Sequence, residues 1–301
     1  MKKILFVRNE NAFLPEIPAY IKYFNKTNEF IAYDSSELGG KLNLTDFDVI
    51  WEFKGFGGLR VTNQILIHEY ASLSTGAFPI LKNQVKTKIN PKPNLRIFLN
   101  KNVKLGFNFK DDISYCYRDM GVDCNFFIKD DKKNKDFDFV YVGSISKGRE
   151  IDKLLYTFTR KMKGTLLLVG SVDDHLYNTY KDNKNITFTG RVRYQEVPQI
   201  AINAEYGINY MPNRYPFNIQ TSTKLLEYLA MGLKVITTDY FWVRQFEQRN
   251  NCSFFKLDIN NFNYNELEKH NYVSSINIEN FLWENVIERS GVYDNIQKLF
   301  S

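Results

Sequence analysis

Four short stretches in the second half of the chain hold residues suited to one kind of chemistry. Gly143 is followed by Ser144, Lys147 and Arg149. Glycine lets backbone approach a ligand closely, and a lysine and an arginine beside a helix start bring positive charge to a diphosphate. Gly170 marks a second glycine turn, and Gly190–Arg191–Val192 a third, able to hold a flat base through backbone contacts. Thr221, Ser222 and Thr223 then precede Lys224. Their hydroxyls can cap a helix start, and a helix start of this kind faces an anion. Glu227, one turn further on, is an acceptor-only carboxylate suited to paired sugar hydroxyls. Each stretch alone is commonplace: a loop charge in water for Lys147 or Arg149, an i,i+3 surface pair with Lys224 for Glu227. Their order along the chain is what gives them weight.

Elements must hold these residues in place. Tyr215 to Asp239 reads as a polar turn, a short helix and a buried strand, with Leu225, Leu226, Leu229 and Ala230 at helical spacing and Gly232 as terminator. Upstream, Phe139–Val142, Leu166–Val169 and Ile186–Thr189 read as strands, and Ile151–Lys161 as a helix. The first half carries six apolar bursts: Ile4–Val7, Phe30–Tyr33, Val49–Phe53, Ile65–Ile67, Leu95–Leu99 and Ile113–Tyr117. Such a series predicts an α/β layer fold with a mostly parallel sheet. Ligands of such sheets lie beyond the strands' carboxyl ends. The candidate exits in the first half are Arg8–Asn11, Lys54–Gly58 and His68–Glu69. The KGFGG run lacks the Lys-Ser/Thr ending of a P-loop and reads equally as a glycine turn. His68 at a strand exit is a candidate for positioning acceptor or donor sugar, Glu69 for a base or an acceptor contact; a structural histidine is the alternative.

The charged run Ile128 to Asp138 is the expected boundary between two domains. The expected division is 1–128, a linker at 129–138, a second domain at 139–280 and a closing helix at 281–301 that packs back on the first. The 301 residues, 44% hydrophobic, give two domains of ordinary size. Cys116, Cys124 and Cys252 form no disulfide framework, and their spacing with the three histidines offers no zinc site. MKKILFVRN reads as a first strand rather than a signal peptide, and no apolar run reaches the ~18 residues of a membrane span. The chain is expected to be cytoplasmic. The net charge of +6 gathers unevenly: Lys82, Lys86, Lys88, Lys92, Arg96, Lys101 and Lys104 lie in a stretch without Asp or Glu. That is a solvated basic face or a contact for an anionic partner, whether lipid leaflet, lipid-pyrophosphate acceptor or nucleic acid.

The segments VYVGSISKGREIDKLL, LLLVGS, ITFTGRVRYQEVPQIAINAEYGI and STKLLEYLAMGLKVITTD, in this order, resemble the donor-binding domain of a GT-B glycosyltransferase of the family 4 type. Gly121–Asp123 resembles the segment closing the first domain of that family. The resemblance covers some 100 residues from Phe139 to about Asp239 and implies two Rossmann-like domains facing across a cleft. It implies transfer of a sugar from a nucleotide diphosphate-sugar, UDP- or GDP-linked, with retention and with no obligatory metal or cofactor. Lys147, Arg149 or both take the place of the pair that neutralises the leaving diphosphate, and Glu227 that of the last glutamate in the E-x7-E motif. The first glutamate is replaced by Ile219, and the usual glycine-rich loop after the first strand by Arg8-Asn9-Glu10-Asn11.

The expected role is therefore synthesis of a surface polysaccharide or glycolipid, with a saccharide or lipid-linked acceptor. The basic segment would hold the enzyme peripherally on the inner membrane face. The alternatives are a sugar-nucleotide epimerase, a phage-type DNA glucosyltransferase, and an inactive GT-B protein serving as a partner subunit.

Overall fold

Each apolar burst of the first half becomes a parallel strand, because a sheet covered on both faces needs short runs apolar on both sides. The structure is a computed structural model of the chain and describes residues 1–8, 14–39, 42–128 and 135–301. It divides into two units, Met1–Asp123 with Asn280–Ser301, and Cys124–Glu279.

In the first unit, β1 (Lys2–Val7), β2 (Phe30–Asp34), β3 (Val49–Phe53), β4 (Ile65–Tyr70), β5 (Leu95–Phe98) and β6 (Tyr115–Tyr117) form one sheet in the order β2-β1-β3-β4-β5-β6. All the pairings are parallel. Helix α1 (Glu16–Phe24) lies between β1 and β2, α2 (Pro79–Ile89) between β4 and β5, and α3 (Lys101–Phe107) between β5 and β6. Phe6, Tyr20, Phe24 and Trp51 form the aromatic centre of the core, Tyr20 and Trp51 with ring centroids 4.5 Å apart.

The second unit winds β7 (Phe137–Val142), α4 (Ile151–Lys161), β8 (Leu166–Val169), α5 (Asp174–Tyr180), β9 (Ile186–Gly190), α6 (Val197–Ala201), β10 (Ala204–Asn209), α7 (Thr223–Ala230), β11 (Lys234–Thr237) and α8 (Phe241–Asn250). Strand β12 (Cys252–Ser253) is followed by β13 (Phe255–Lys256), α9 (Tyr264–Lys269) and β14 (Val273–Ser274). The sheet order is β13-β11-β10-β7-β8-β9, and β12 pairs antiparallel with β14. The chain runs outward from β7 through β8 and β9, then returns to lay β10 on the other side of β7. That reversal puts the topological switch point at the carboxyl ends of β7 and β10, where sheets of this kind receive ligands.

The terminal segment has the helical character its spacing predicts, but in pieces. A turn at Ile278–Phe281 leads to α10 (Trp283–Ser290) and α11 (Val292–Gln297), separated at Gly291. Ile287, Val292 and Ile296 complete the core of the first unit.

Candidate functional site

Three strand exits of the second unit define the candidate site. Gly143 ends β7 with φ 135°, and its amide donates to Val169 O at 2.9 Å. Opposite it, Gly170 has φ 139°, and a Cβ there would lie 2.2 Å from Gly143 O. Only glycine permits two strand-exit turns this close. A register shift brings Val169 opposite Gly190, whose carbonyl accepts from Gly170 N at 3.0 Å. The glycines of β7, β8 and β9 thus form a chain of backbone contacts, with Ser144 half-buried, Arg191 exposed and Val192 half-buried beside it.

Lys147 and Arg149 form a single 3-10 turn before α4. The amide of Lys147 donates to Asp173 Oδ2 at 3.1 Å, which anchors the turn and leaves the exposed ammonium free. Glu150, with φ 58°, is held by Lys153 at 2.7 Å and Arg214 at 3.0 Å. The hydrogen bond from Lys153 comes first among the causes that hold its carboxyl below the usual range. Arg214 also donates to Gly148 O at 3.0 Å. Glu150 and Arg214 are thereby used up as charges, and Arg149 is half-buried, its guanidinium with no hydrogen bond or ion pair among the described residues.

Helix α7 supplies the rest. Ser222 stands at its N-cap, but its hydroxyl makes no cap bond. It donates instead to Asn209 Oδ1 at 2.7 Å, and Asn209 Nδ2 donates to Thr237 Oγ1 at 2.9 Å and Tyr240 Oη at 3.0 Å. This buried network fixes the helix start to the ends of β10 and β11, a role the hydroxyl run did not predict. Thr221 and Thr223 flank it, both half-buried. Glu227 is buried, and Tyr194 Oη donates to its Oε1 at 2.8 Å. Tyr194 in turn packs against Phe126, with ring centroids 5.1 Å apart. Tyr228 lies at the switch point itself. Val142 N donates to its Oη at 2.9 Å, and the hydroxyl reaches Ile208 O at 3.5 Å. Gly207 makes room for that ring, since a Cβ there would sit 2.5 Å from it. Tyr194, Asn209 and Tyr228 were missed from sequence. The available signal was a lone glycine inside an apolar strand, which marks close approach by another group.

Lys224 is the least ordinary group here. Its residue keeps some exposure, but Nζ is sealed from solvent without a hydrogen-bond partner, 4.3 Å above the Tyr141 ring. Burial, then the Arg149 charge, push it down to about 7, with Glu227 acting in the opposite direction. An unfolded lysine keeps its proton up to about 10.5. Between those values the unfolded chain holds a proton that the folded chain lacks, so through this group stability rises with pH across that window. Lys224→Met is accordingly expected to be more stable than wild type at neutral pH, the gap closing as pH approaches 10.5. Urea titrations at several pH values measure this, and a gap constant with pH would remove the sealed ammonium as its cause.

The first unit treats its candidates differently. His68 is not at an exit: β4 continues to Tyr70 and buries it completely. Its Nε2 lies 3.3 Å from Glu52 Oε2, and burial, ahead of its other contacts, lowers its pKa and keeps it neutral. Glu69 accepts from Trp51 Nε1 at 2.9 Å and pairs with fully buried Arg118, which also reaches Glu16 at 3.3 Å and Tyr20 Oη at 3.1 Å. Glu69 is an interior group because a paired charge and a hydrogen bond satisfy it, and His68 is carried inward as a neutral ring beside Glu52. The KGFGG run closes on itself, with Lys54 Nζ donating to Glu52 Oε2 at 3.2 Å and Gly57 O at 2.7 Å. Arg8 pairs with Asp34 at 3.1 Å, and Asn9–Asn11 lie outside the described residues.

The basic segment is not one face. Arg96 is buried, bonds Asp111 Oδ2 at 2.8 Å and lies 3.7 Å over the Phe109 ring. Lys86 is buried 5.0 Å over the Phe56 ring. Lys88 and Lys92 are exposed and Lys82 partly so. Among the described residues no group of three or more His, Cys, Asp or Glu is placed to hold a metal ion, and no helix is long and apolar enough to cross a membrane.

Two six-stranded parallel sheets wound by helices, the second with cations and a carboxylate gathered at its strand exits, define the GT-B class. Residues 136–255 match the family described as Glycosyl transferases group 1. Over that stretch the chain is similar to that family, and the two units have the GT-B fold. No curated protein matches it by sequence. It is similar to Anabaena HepE solved with UDP and glucose, at 11% identity over 99% of this chain and 98% of that one, TM-score 0.61. AviGT4, a glycosyltransferase involved in avilamycin A biosynthesis, is 10% identical over the same shares, TM-score 0.63. A T4 phage BGT variant solved with UDP-glucose is 14% identical, again over 99% and 98%, TM-score 0.55. At such identities the likenesses speak to fold.

Proposed function

We propose that the protein moves a sugar from a UDP- or GDP-linked donor to a saccharide or lipid-linked acceptor in the synthesis of a surface polysaccharide or glycolipid. The observation that carries the donor side is the sealed Lys224 ammonium, acted on by Arg149, whose guanidinium has no hydrogen bond or ion pair among the described residues, and in the opposite direction by the carboxylate of Glu227. As the bond between the sugar's anomeric carbon and the diphosphate breaks, its electron pair goes to the diphosphate. Cations already fixed beside that oxygen stabilise the transition state more than the ground state. Arg149 and Lys147 supply that charge, and a bound diphosphate would favour the protonated form of Lys224, with the Gly143 and Gly170 turns letting backbone come close. Glu227, oriented by Tyr194, keeps acceptor capacity for the ribose hydroxyls. With Ile219 in place of the motif's first glutamate, contacts to the donor sugar fall to Asn218, Gln220 or the amides of Thr221–Thr223. Transfer proceeds with retention and without an obligatory metal: the acceptor oxygen bonds the anomeric carbon on the face the diphosphate leaves, and its proton passes to the departing oxygen. The setting is cytoplasmic, with peripheral contact at the inner membrane face.

A panel of UDP-, GDP-, ADP-, dTDP- and CMP-sugars followed by thermal shift tests the reading, since a ligand that binds only the folded state raises its apparent stability. One nucleotide class is expected to stabilise the protein, and Glu227→Ala to weaken that binding by about tenfold or more, a carboxylate hydrogen bond being worth about 1.5–3 kcal/mol. No shift with any donor would overturn it. The likeness to the phage enzyme, a DNA-modifying β-glucosyltransferase, supports a DNA acceptor as second reading; salt-dependent retention of duplex DNA would favour it.

A further inference from the structure

Helix α2 is built inside out. The residues it buries are Asn83 and Lys86, with Asn90 following at its C-cap. Asn83 Oδ1 accepts from Ser74 N at 2.9 Å, and Asn90 Nδ2 donates to Gly55 O at 3.2 Å. The apolar residues point the other way. Leu81, Val85 and Ile89, spaced four apart, form one stripe that is 56%, 38% and 53% exposed. Phe78 extends it at the start, 76% exposed and held at φ 53°. A bulky residue is rare in that left-handed region. An apolar stripe at helical spacing ordinarily faces a core. This one has no cover among the described residues.

The charges beside it indicate what covers it. From Tyr70 to Lys110 there is no Asp or Glu. Helical spacing places Lys88 along one edge of the stripe and Lys82 along the other. Lys92 and Lys101, both exposed, lie in the same stretch without Asp or Glu. Duplex nucleic acid would use those cations but leave the stripe in water. A second copy of the chain would bring one positive face against another. An anionic lipid leaflet takes both features, apolar side chains at the acyl boundary and lysines at the phosphates.

We propose that Phe78 and α2 form a membrane-surface helix that docks the first unit on anionic lipid. This deepens the lipid-linked branch of the function proposed above. Its test uses no donor or acceptor, so its failure would leave the transferase reading standing.

The full chain is sedimented with vesicles of phosphatidylcholine alone, or of phosphatidylcholine with phosphatidylglycerol. Wild type is expected to partition onto the anionic vesicles, more weakly as salt rises. Leu81→Asp with Val85→Asp should reduce that partition by about tenfold or more. Lys82→Glu with Lys88→Glu should abolish the preference for phosphatidylglycerol. Neither pair should alter the midpoint of a urea melt, which checks folding. Equal partition of wild type and the Asp pair would overturn the proposal. So would a wild-type dimer in sedimentation velocity that the Asp pair dissolves, because the stripe would then belong to a second copy.

Discussion

Arg149→Ala is expected to lower turnover by about 10²–10³-fold, the loss typical of removing one preset charge donor from a transition state. The guanidinium has no partner among the described residues, so its removal leaves nothing unsatisfied. It also depresses the neighbouring Lys224, and taking it away relieves that like-charge contact. The folded state should therefore be as stable as before or slightly more so. A structural arginine would behave in the opposite way. Lys147→Ala should have the smaller effect, because that side chain is exposed and water screens it. Steady-state turnover beside a urea melt separates the cases. Full activity in both variants would dismiss this turn as the phosphate site.

Arg118→Met is expected to destabilise the first unit by about 3–5 kcal/mol, the range for removing one partner of a buried ion pair. Arg118 is fully buried, and two carboxylates, Glu16 and Glu69, lean on it. Tyr20 Oη and the Trp283 ring, 5.3 Å from the guanidinium, complete its surroundings. Methionine fills similar volume, so a cavity contributes little and the cost is electrostatic. Adding Glu69→Gln to Arg118→Met should recover part of it. Denaturant melts of the single and double variants measure this, and a single variant as stable as wild type would show the carboxylates to be satisfied by other means.

Local pattern carried much of this fold. The six apolar bursts before Asp123 all became strands, and Ile151–Lys161 became α4 with the same ends, because periodicity of 2 or 3.6 is a property of neighbours in sequence. What escaped depends on partners far along the chain. Tyr194 and Glu227 are 33 residues apart, and Asn209 and Ser222 are 13 apart. His68 and Glu69 read as exit residues because a charge usually ends an apolar strand, yet Glu52 and Arg118 allow β4 to carry both inward. Lys86 and Arg96 counted as surface charge until aromatic rings were seen to cover them. Composition shows where the cations are in sequence, and only packing shows which of them meet water.

The phenol of Tyr228 carries a further consequence. Parallel strands drawn apart at their ends expose amides and carbonyls that would otherwise close on each other. Here one hydroxyl occupies that gap, receiving the Val142 amide and reaching the Ile208 carbonyl. The parting of β7 from β10 is therefore a resting property of the second unit, which no ligand has to force. A ligand held beyond these carboxyl ends would find the strands already parted, and the free energy of its contacts would go into affinity instead of into separating them.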